Sequence, residues 1–296
     1  MAEKTTTRKN FLKLSALSAG GLAFGGANSA MSKSNSMKAI SQSSVSNEIL
    51  KFGIASYSLR HFDRPEAIKM IKDIGSKYVS VKSFHLPEEY SSEELMAARK
   101  EFEEAGLTIV SGGVIYLRED NDDYMRQRFE YARTCGMPIM VIGPTPENLP
   151  RVEKFVKEFD IKVAIHNHGP DSTFPSPLDA MELIKNMDPR VGICNDLGHT
   201  VRTGEDVIES IEKTKDRLFE IHLKDLKDLS DKDTQCIVGE GNVPVAAIFN
   251  KLIQINFQGI VGLEYEIEKE NPLPGMKQSY AYMRGVADGL KNTMNA

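Results

Sequence analysis

Tryptophan is absent from this sequence, and histidine and cysteine are scarce, at 6 and 3 of 296 residues. Without Trp, any surface that stacks on a sugar ring must come from Phe or Tyr. Cys135, Cys194 and Cys236 are widely spaced and odd in number. That excludes a disulfide framework and a CxxC metal site, and leaves buried or inert thiols. No block of Lys and Arg is interleaved with aromatics, and the formal net charge is -5, so no nucleic-acid footprint is present. The stretch FLKLSALSAGGLAFGG is too short and too rich in Gly for a stable membrane span.

What is present begins with an N-terminus unlike the rest. MAEKTTTRKN is basic and polar, FLKLSALSAGGLAFGG is weakly apolar, and ANSA offers small residues for cleavage near Ala30. Residues 1–30 therefore read as an export signal. Thr7 to Lys13, with Arg8-Lys9 at its centre, looks like a twin-arginine signal with Lys in place of the second Arg. It implies a protein exported already folded, to the periplasm. Residues 31–49 are Ser-rich and aperiodic, a linker. Residues 50–296 supply about 245 positions, enough for one large domain with a substantial core.

Along that domain, apolar runs alternate with amphipathic helical stretches. The runs are FGIASYSL, YVSVKSFH, LTIVSGGVI, PIMVIGP, KVAIHNH, VGICNDLGH, LFEIHLKD and GIVGLEYE. Most are too continuously apolar for a half-exposed sheet, as expected of parallel strands covered on both faces. Helix starts are legible between them: a Ser and early acids in SSEELMAARKEFEEAG, Pro177 at a first-turn position, and Thr203 with Asp206 three residues on as a capping box. Eight strand–helix units of this length predict an α/β fold, a single-domain (β/α)8 TIM barrel. An open doubly wound sheet would show a Gly-rich phosphate turn after its first strand, and FGIASYSLRHF has none.

In such a barrel the chemistry sits at the C-terminal ends of the strands. All six histidines fall at or just after such an end: His61, His85, His166, His168, His199 and His222. Asp196 and Glu264 directly follow buried-type runs, where an unpaired carboxylate would be costly to desolvate. A cation removes that cost. His166, Asp196, His222 and Glu264 thus converge, on this strand map, on one divalent ion. Two imidazoles and two carboxylates suit Mn, with Co, Zn, Fe or Mg as alternatives.

From about residue 50 to its end, the chain resembles the xylose isomerase-like barrels of the sugar phosphate isomerase/epimerase group. NDLGHT, EIHLKD and GLEYE resemble that family's Asp-x-x-His, His-x-Lys-Asp and terminal strand-Glu signatures. The resemblance implies a single divalent metal held by Glu, Asp, His and Glu, with Asp196, His222 and Glu264 matching the last three. His199 matches a histidine that contacts substrate beside the metal. Where relatives carry Glu-Asn-His, this chain reads His166-Asn167-His168, so the first ligand has changed from carboxylate to imidazole. That breaks the carboxylate pair that exchanges protons on opposite faces in the epimerases, and favours a one-base reaction.

The expectation is therefore a metal-dependent lyase or hydratase of a keto-sugar, working through a metal-stabilised enediolate. Related barrels process 3-keto-glucosides through a 2-hydroxy-glucal. Glu264 is the expected base, with His166 or His199 assisting protonation and Lys82 polarising a carbonyl. His85, His168 and Lys224 are expected to bind substrate, Lys224 having a salt bridge to an acid such as Asp225 as its alternative. Glu266 and His61 read as a rim acid and a loop histidine; Phe84, Tyr116 and Phe174 are candidate stacking faces, with packing the commoner use of aromatics at such places. Sugar isomerase or epimerase, and non-catalytic sugar-binding barrel, are the alternatives. A small carbohydrate is the expected partner, with homo-oligomers compatible.

Overall fold

A computed structural model describes residues 48–294. The expected export signal, and all but the end of the expected linker, lie outside the described residues. Eight strands form where the apolar runs place them: β1 (Lys51–Ala55), β2 (Tyr78–Val81), β3 (Thr108–Tyr116), β4 (Ile139–Gly143), β5 (Lys162–His166), β6 (Val191–Asp196), β7 (Leu218–Leu223) and β8 (Ile260–Leu263). Each pairs in parallel with its neighbour in chain order, and β8 closes the barrel on β1. Every parallel pair therefore needs a crossover, and the helical stretches supply it.

Those helices are α1 (Arg64–Ile74), α2 (Ser92–Glu104), α3 (Asp122–Thr134), α4 (Leu149–Phe159), α5 (Pro177–Ile184), α6 (Leu197–Arg202), α7 (Val207–Thr214), α8 (Val245–Gln254) and α9 (Leu273–Met294). Local chemistry fixes several starts. Ser91 and Glu94 complete a capping box at α2, and Ser176 with Asp179 does the same ahead of Pro177 at α5, each satisfying two end N–H groups. The expected box from Thr203 to Asp206 is not formed. Asp206 is itself the cap of α7, accepting from Ile208 and Glu209, and Thr203 ends α6 instead. The six-residue α6 is not legible beforehand, because it is too short to show a helical period.

The main core lies between the barrel wall and the helices. A separate cluster of Val141, Ala164 and Cys194 shares strand faces with the site, since alternate residues of a strand face one way. Ala164 precedes His166 by two residues, and Cys194 likewise precedes Asp196. All three cysteines are buried and free. No helix among the described residues is long and apolar enough to cross a membrane.

Candidate active site

The register sets the site. Asp196 on β6 lies opposite His222 on β7, His222 lies opposite Gly262 on β8, and Glu264 follows β8 with its N–H bonded to Leu223 O at 3.0 Å. His166 ends the neighbouring β5. One donor atom from each of His166, Asp196, His222 and Glu264 lies within 4.8 Å of all the others, and all four residues are buried. His166 Nε2 is 3.0 Å from His222 Nδ1 and 3.6 Å from Asp196 Oδ2, while His222 Nδ1 is 3.4 Å from Glu264 Oε2. Donors held about 2.1 Å from one ion in a tetrahedral shell stand roughly 3.4 Å apart.

Two further observations fit a cation at this place. Asp196 Oδ2 is buried and accepts no well-aligned hydrogen bond, although the Lys224 ammonium stands 3.1 Å away. Buried polar atoms are rarely left unmatched. The second is an orienting carboxylate. His222 Nε2 donates to Glu220 Oε1 at 3.0 Å, which turns the Nδ1 lone pair towards the other donors. Carboxylates behind a ligating imidazole commonly fix its tautomer in this way.

Asn167 holds the β5 and β6 ends together. Its Oδ1 accepts from Asp196 N at 2.9 Å and its Nδ2 donates to Thr200 Oγ1 at 3.0 Å. Asp196 also caps α6, with Oδ1 accepting from His199 N at 2.9 Å, so a single turn aims both its second oxygen and the His199 ring. Arg202 then donates to His199 Nδ1 at 2.9 Å. Guanidinium has no acceptor and keeps its protons, so Nδ1 must accept and the ring proton sits on Nε2. Burial and the nearby Lys224 push the His199 pKa down to about 3. His199 is therefore a neutral hydrogen-bond donor, and the expected part in delivering a proton is corrected accordingly.

A cavity of about 280 Å³ opens over His166 and Glu264 of the four donors. His168 lines it, its ring 4.4 Å from that of His166 and stacked on Tyr116 at 6.1 Å. Lys82 reaches in from β2, donating to Val114 O at 2.5 Å with its ammonium 5.6 Å from the Tyr116 ring centre. Burial lowers the Lys82 pKa, against the pull of Glu264. Phe84 and Tyr116 line the cavity and are 52% and 44% exposed, which leaves aromatic faces free beside it. Burial alone would raise the pKa of Glu264, but Lys224 and His222 outweigh it and hold the carboxyl well below the usual range.

One expectation is corrected and two are sharpened. His85 is fully buried, with its ring nitrogens 3.0 Å from Ser56 Oγ and 3.2 Å from Leu59 O. Both nitrogens are thus matched inside the protein, and none is left for substrate. Phe174 is buried in the core. Lys224 lines the cavity as expected, and its ammonium makes salt bridges with Asp196, Glu264 and Glu266. The acid suggested for it, Asp225, instead accepts backbone N–H groups from Gly239, Gly241 and Val243. His61 is an exposed turn residue.

Sequence reasoning assigns no role to Glu220, Arg202 or Tyr57. Glu220 carries the one available signal, a carboxylate two residues before His222 within an apolar strand, hence on the same face. Arg202 sits one helical turn beyond His199, and Tyr57 on the loop after β1 lines the cavity.

The family model for xylose isomerase-like TIM barrels matches residues 68–286. An inosose dehydratase of Clostridium tetani is 28% identical over 160 residues, covering 48% of this chain and 53% of that protein; the chain thus matches about half the length of such curated relatives. The crystal structure of an L-ribulose 3-epimerase has a TM-score of 0.67 at 14% identity, covering 83% of this chain and 97% of that one. The IOLI protein with a binding zinc atom has a TM-score of 0.64 at 16% identity, covering 82% and 96%.

Proposed function

The chain belongs to the xylose isomerase-like TIM barrel family, and from that premise we propose that it is a divalent-metal-dependent dehydratase or hydratase of a keto-sugar. The observation that carries this reading is asymmetry around the four donors. Glu264 faces the cavity as a carboxylate, whereas the β5 ligand position holds an imidazole, His166. One base and several hydrogen-bond donors suit elimination better than proton exchange on two faces. The curated relatives matched over half their length are inosose dehydratases, which supports dehydration as the reaction class.

A divalent ion in this site supplies Lewis-acid polarisation of a substrate carbonyl, worth several kcal/mol of charge stabilisation. We favour Mn²⁺, as a mixed set of two nitrogens and two oxygens suits it. The remaining chemistry falls to side chains. Glu264 takes the proton from the carbon beside the carbonyl. His199, locked as a donor by Arg202, hydrogen-bonds the oxygen on which charge develops. The carbon–oxygen bond at the next carbon breaks, and the Lys82 ammonium, made more acidic by burial, gives its proton to the departing oxygen. Water or an alcohol leaves; solvent then returns a proton to Lys82 and removes one from Glu264. Hydration is the same sequence reversed. Phe84 and Tyr116 offer apolar faces to the sugar ring, and a 3-keto-glucoside or its 2-hydroxy-glucal is the substrate we favour. Export to the periplasm remains part of this proposal, resting on residues 1–30 alone.

Incubating Mn²⁺-loaded protein with 3-keto-glycosides tests the reading, with enone absorbance expected to rise or decay. No change with any of the candidate metals rules it out. Solvent deuterium entering an unchanged carbon skeleton would instead establish an epimerase.

A further inference from the structure

Lys224 occupies an unusual place, because its ammonium lies against two of the four donors. It stands 3.1 Å from Asp196 Oδ2, 2.9 Å from Glu264 Oε2 and against Glu266 Oε1, and the residue is 5% exposed. Its stem reaches this position across Gly198, where any Cβ would collide with Lys224 Cγ. An ammonium has three donors and no acceptor, and here three carboxylates surround it.

Two of those carboxylates, Asp196 and Glu264, are also in the four-donor set, whereas Glu266 is not. A divalent ion among the donors would place two positive charges beside the ammonium in a buried site, where like charges repel strongly. Each cation therefore weakens the other's hold on the shared oxygens. We propose that Lys224 is a resident counter-ion that competes with the divalent metal for Asp196 and Glu264, and that Glu266 is the acceptor to which its ammonium withdraws when metal binds. The inference rests on the four donors forming the metal centre proposed above.

The position of the pair gives this exchange a use. His199, Lys224 and Glu266 line the cavity over the donors and also a neighbouring cavity of about 400 Å³. Withdrawn to Glu266, the ammonium stays between the two cavities with two N–H donors released from the ligands. Metal arrival thereby frees donors for a substrate oxygen, and metal and substrate bind cooperatively. Glu266 thus makes the site both easier to load and better equipped once loaded.

Titration of the metal-free full chain with Mn²⁺ by calorimetry tests the exchange without reference to turnover. Lys224→Met is expected to bind Mn²⁺ about tenfold more tightly than the parent, since a competitor is gone, and Glu266→Gln about tenfold more weakly, since the ammonium loses its alternative acceptor. Lys82→Met removes the other cation of the cavity without touching the donors, and is expected to stay within about twofold of the parent. Lys224→Met binding no tighter than the parent, Glu266→Gln unchanged, or Lys82→Met matching the gain of Lys224→Met each overturns the proposal. Should Lys224→Met fail to fold, the opposite-sign effect at the half-exposed Glu266 still decides. A parent chain that takes up none of the candidate metals defeats the metal centre itself, and that result is visible before any variant is made.

Discussion

Glu220 shows how much of this site depends on residues that never reach the cavity. It is fully buried on β7, spends one oxygen on His222 Nε2, and leaves the other without a hydrogen-bond partner. Replacing it with Gln keeps the shape but no longer favours the His222 tautomer that points Nδ1 at the other donors. Metal affinity is expected to fall roughly 10- to 100-fold in Glu220→Gln, read by competition with a chromophoric chelator. His199 makes the second prediction at this scale. Its pKa is pushed down to about 3, so the imidazole is protonated only below that value and carries no charge change between about pH 5 and 8. His199→Ala should lower kcat about 100-fold through loss of one donor, while the midpoint of the acid limb of the pH–rate profile stays where it was. An acid limb that moves with His199 would make it a titrating acid after all. At this scale the sequence is informative where a polar residue ends a buried strand, as His166, Asp196 and Glu264 do. The same signal misleads at His85, because position alone does not tell a ring facing the cavity from one bonded to Ser56 and Leu59.

At the scale of elements, the turn from β6 into α6 does the most. Asp196 ends a strand, caps a helix with one oxygen and faces the other donors with its second. This element is invisible beforehand: α6 has six residues, and its partners Asn167 and Lys224 lie 29 and 28 positions from Asp196 in the chain. Helices α1, α2 and α3 are the opposite case, each started by the side chain of the residue just before it, Asp63, Ser91 and Asn121. Ser91→Ala removes the hydroxyl half of the capping box at α2, the acceptor for Glu94 N–H, while the backbone N–H of residue 91 still donates to Glu94, and it should cost about 1 kcal/mol in chemical denaturation. Activity should be untouched, since α2 packs on the outer face of the barrel and contributes no residue to the cavity. A loss of activity without a loss of stability would contradict that separation.

For the whole molecule, closure of the barrel ties metal to stability. The four donors sit on the ends of β5, β6, β7 and β8, four consecutive strands, so an ion held by all of them cross-links half of the barrel rim. Binding to the folded state alone should stabilise it by about 2.7 kcal/mol at a metal concentration 100 times Kd. That corresponds to a rise in Tm of roughly 5–10 °C for a domain of this size. Thermal melts with Mn²⁺ and with EDTA check this, and Asp196→Asn should abolish most of the difference. The architecture itself is legible in the sequence because its eight apolar runs are continuous and regularly spaced, whereas side-chain pairing between neighbouring strand ends, such as Lys224 with Glu266, depends on strand pairing and register and leaves no local mark.

That division of the rim has a practical outcome. The four donors that would hold an ion occupy one semicircle, while Tyr57, Lys82, Phe84 and Tyr116 approach from the ends of β1, β2 and β3 on the other. Diversifying the three aromatics should therefore retune which molecules are accepted and leave cation retention intact, so that selectivity and metal holding become separately adjustable properties of one scaffold.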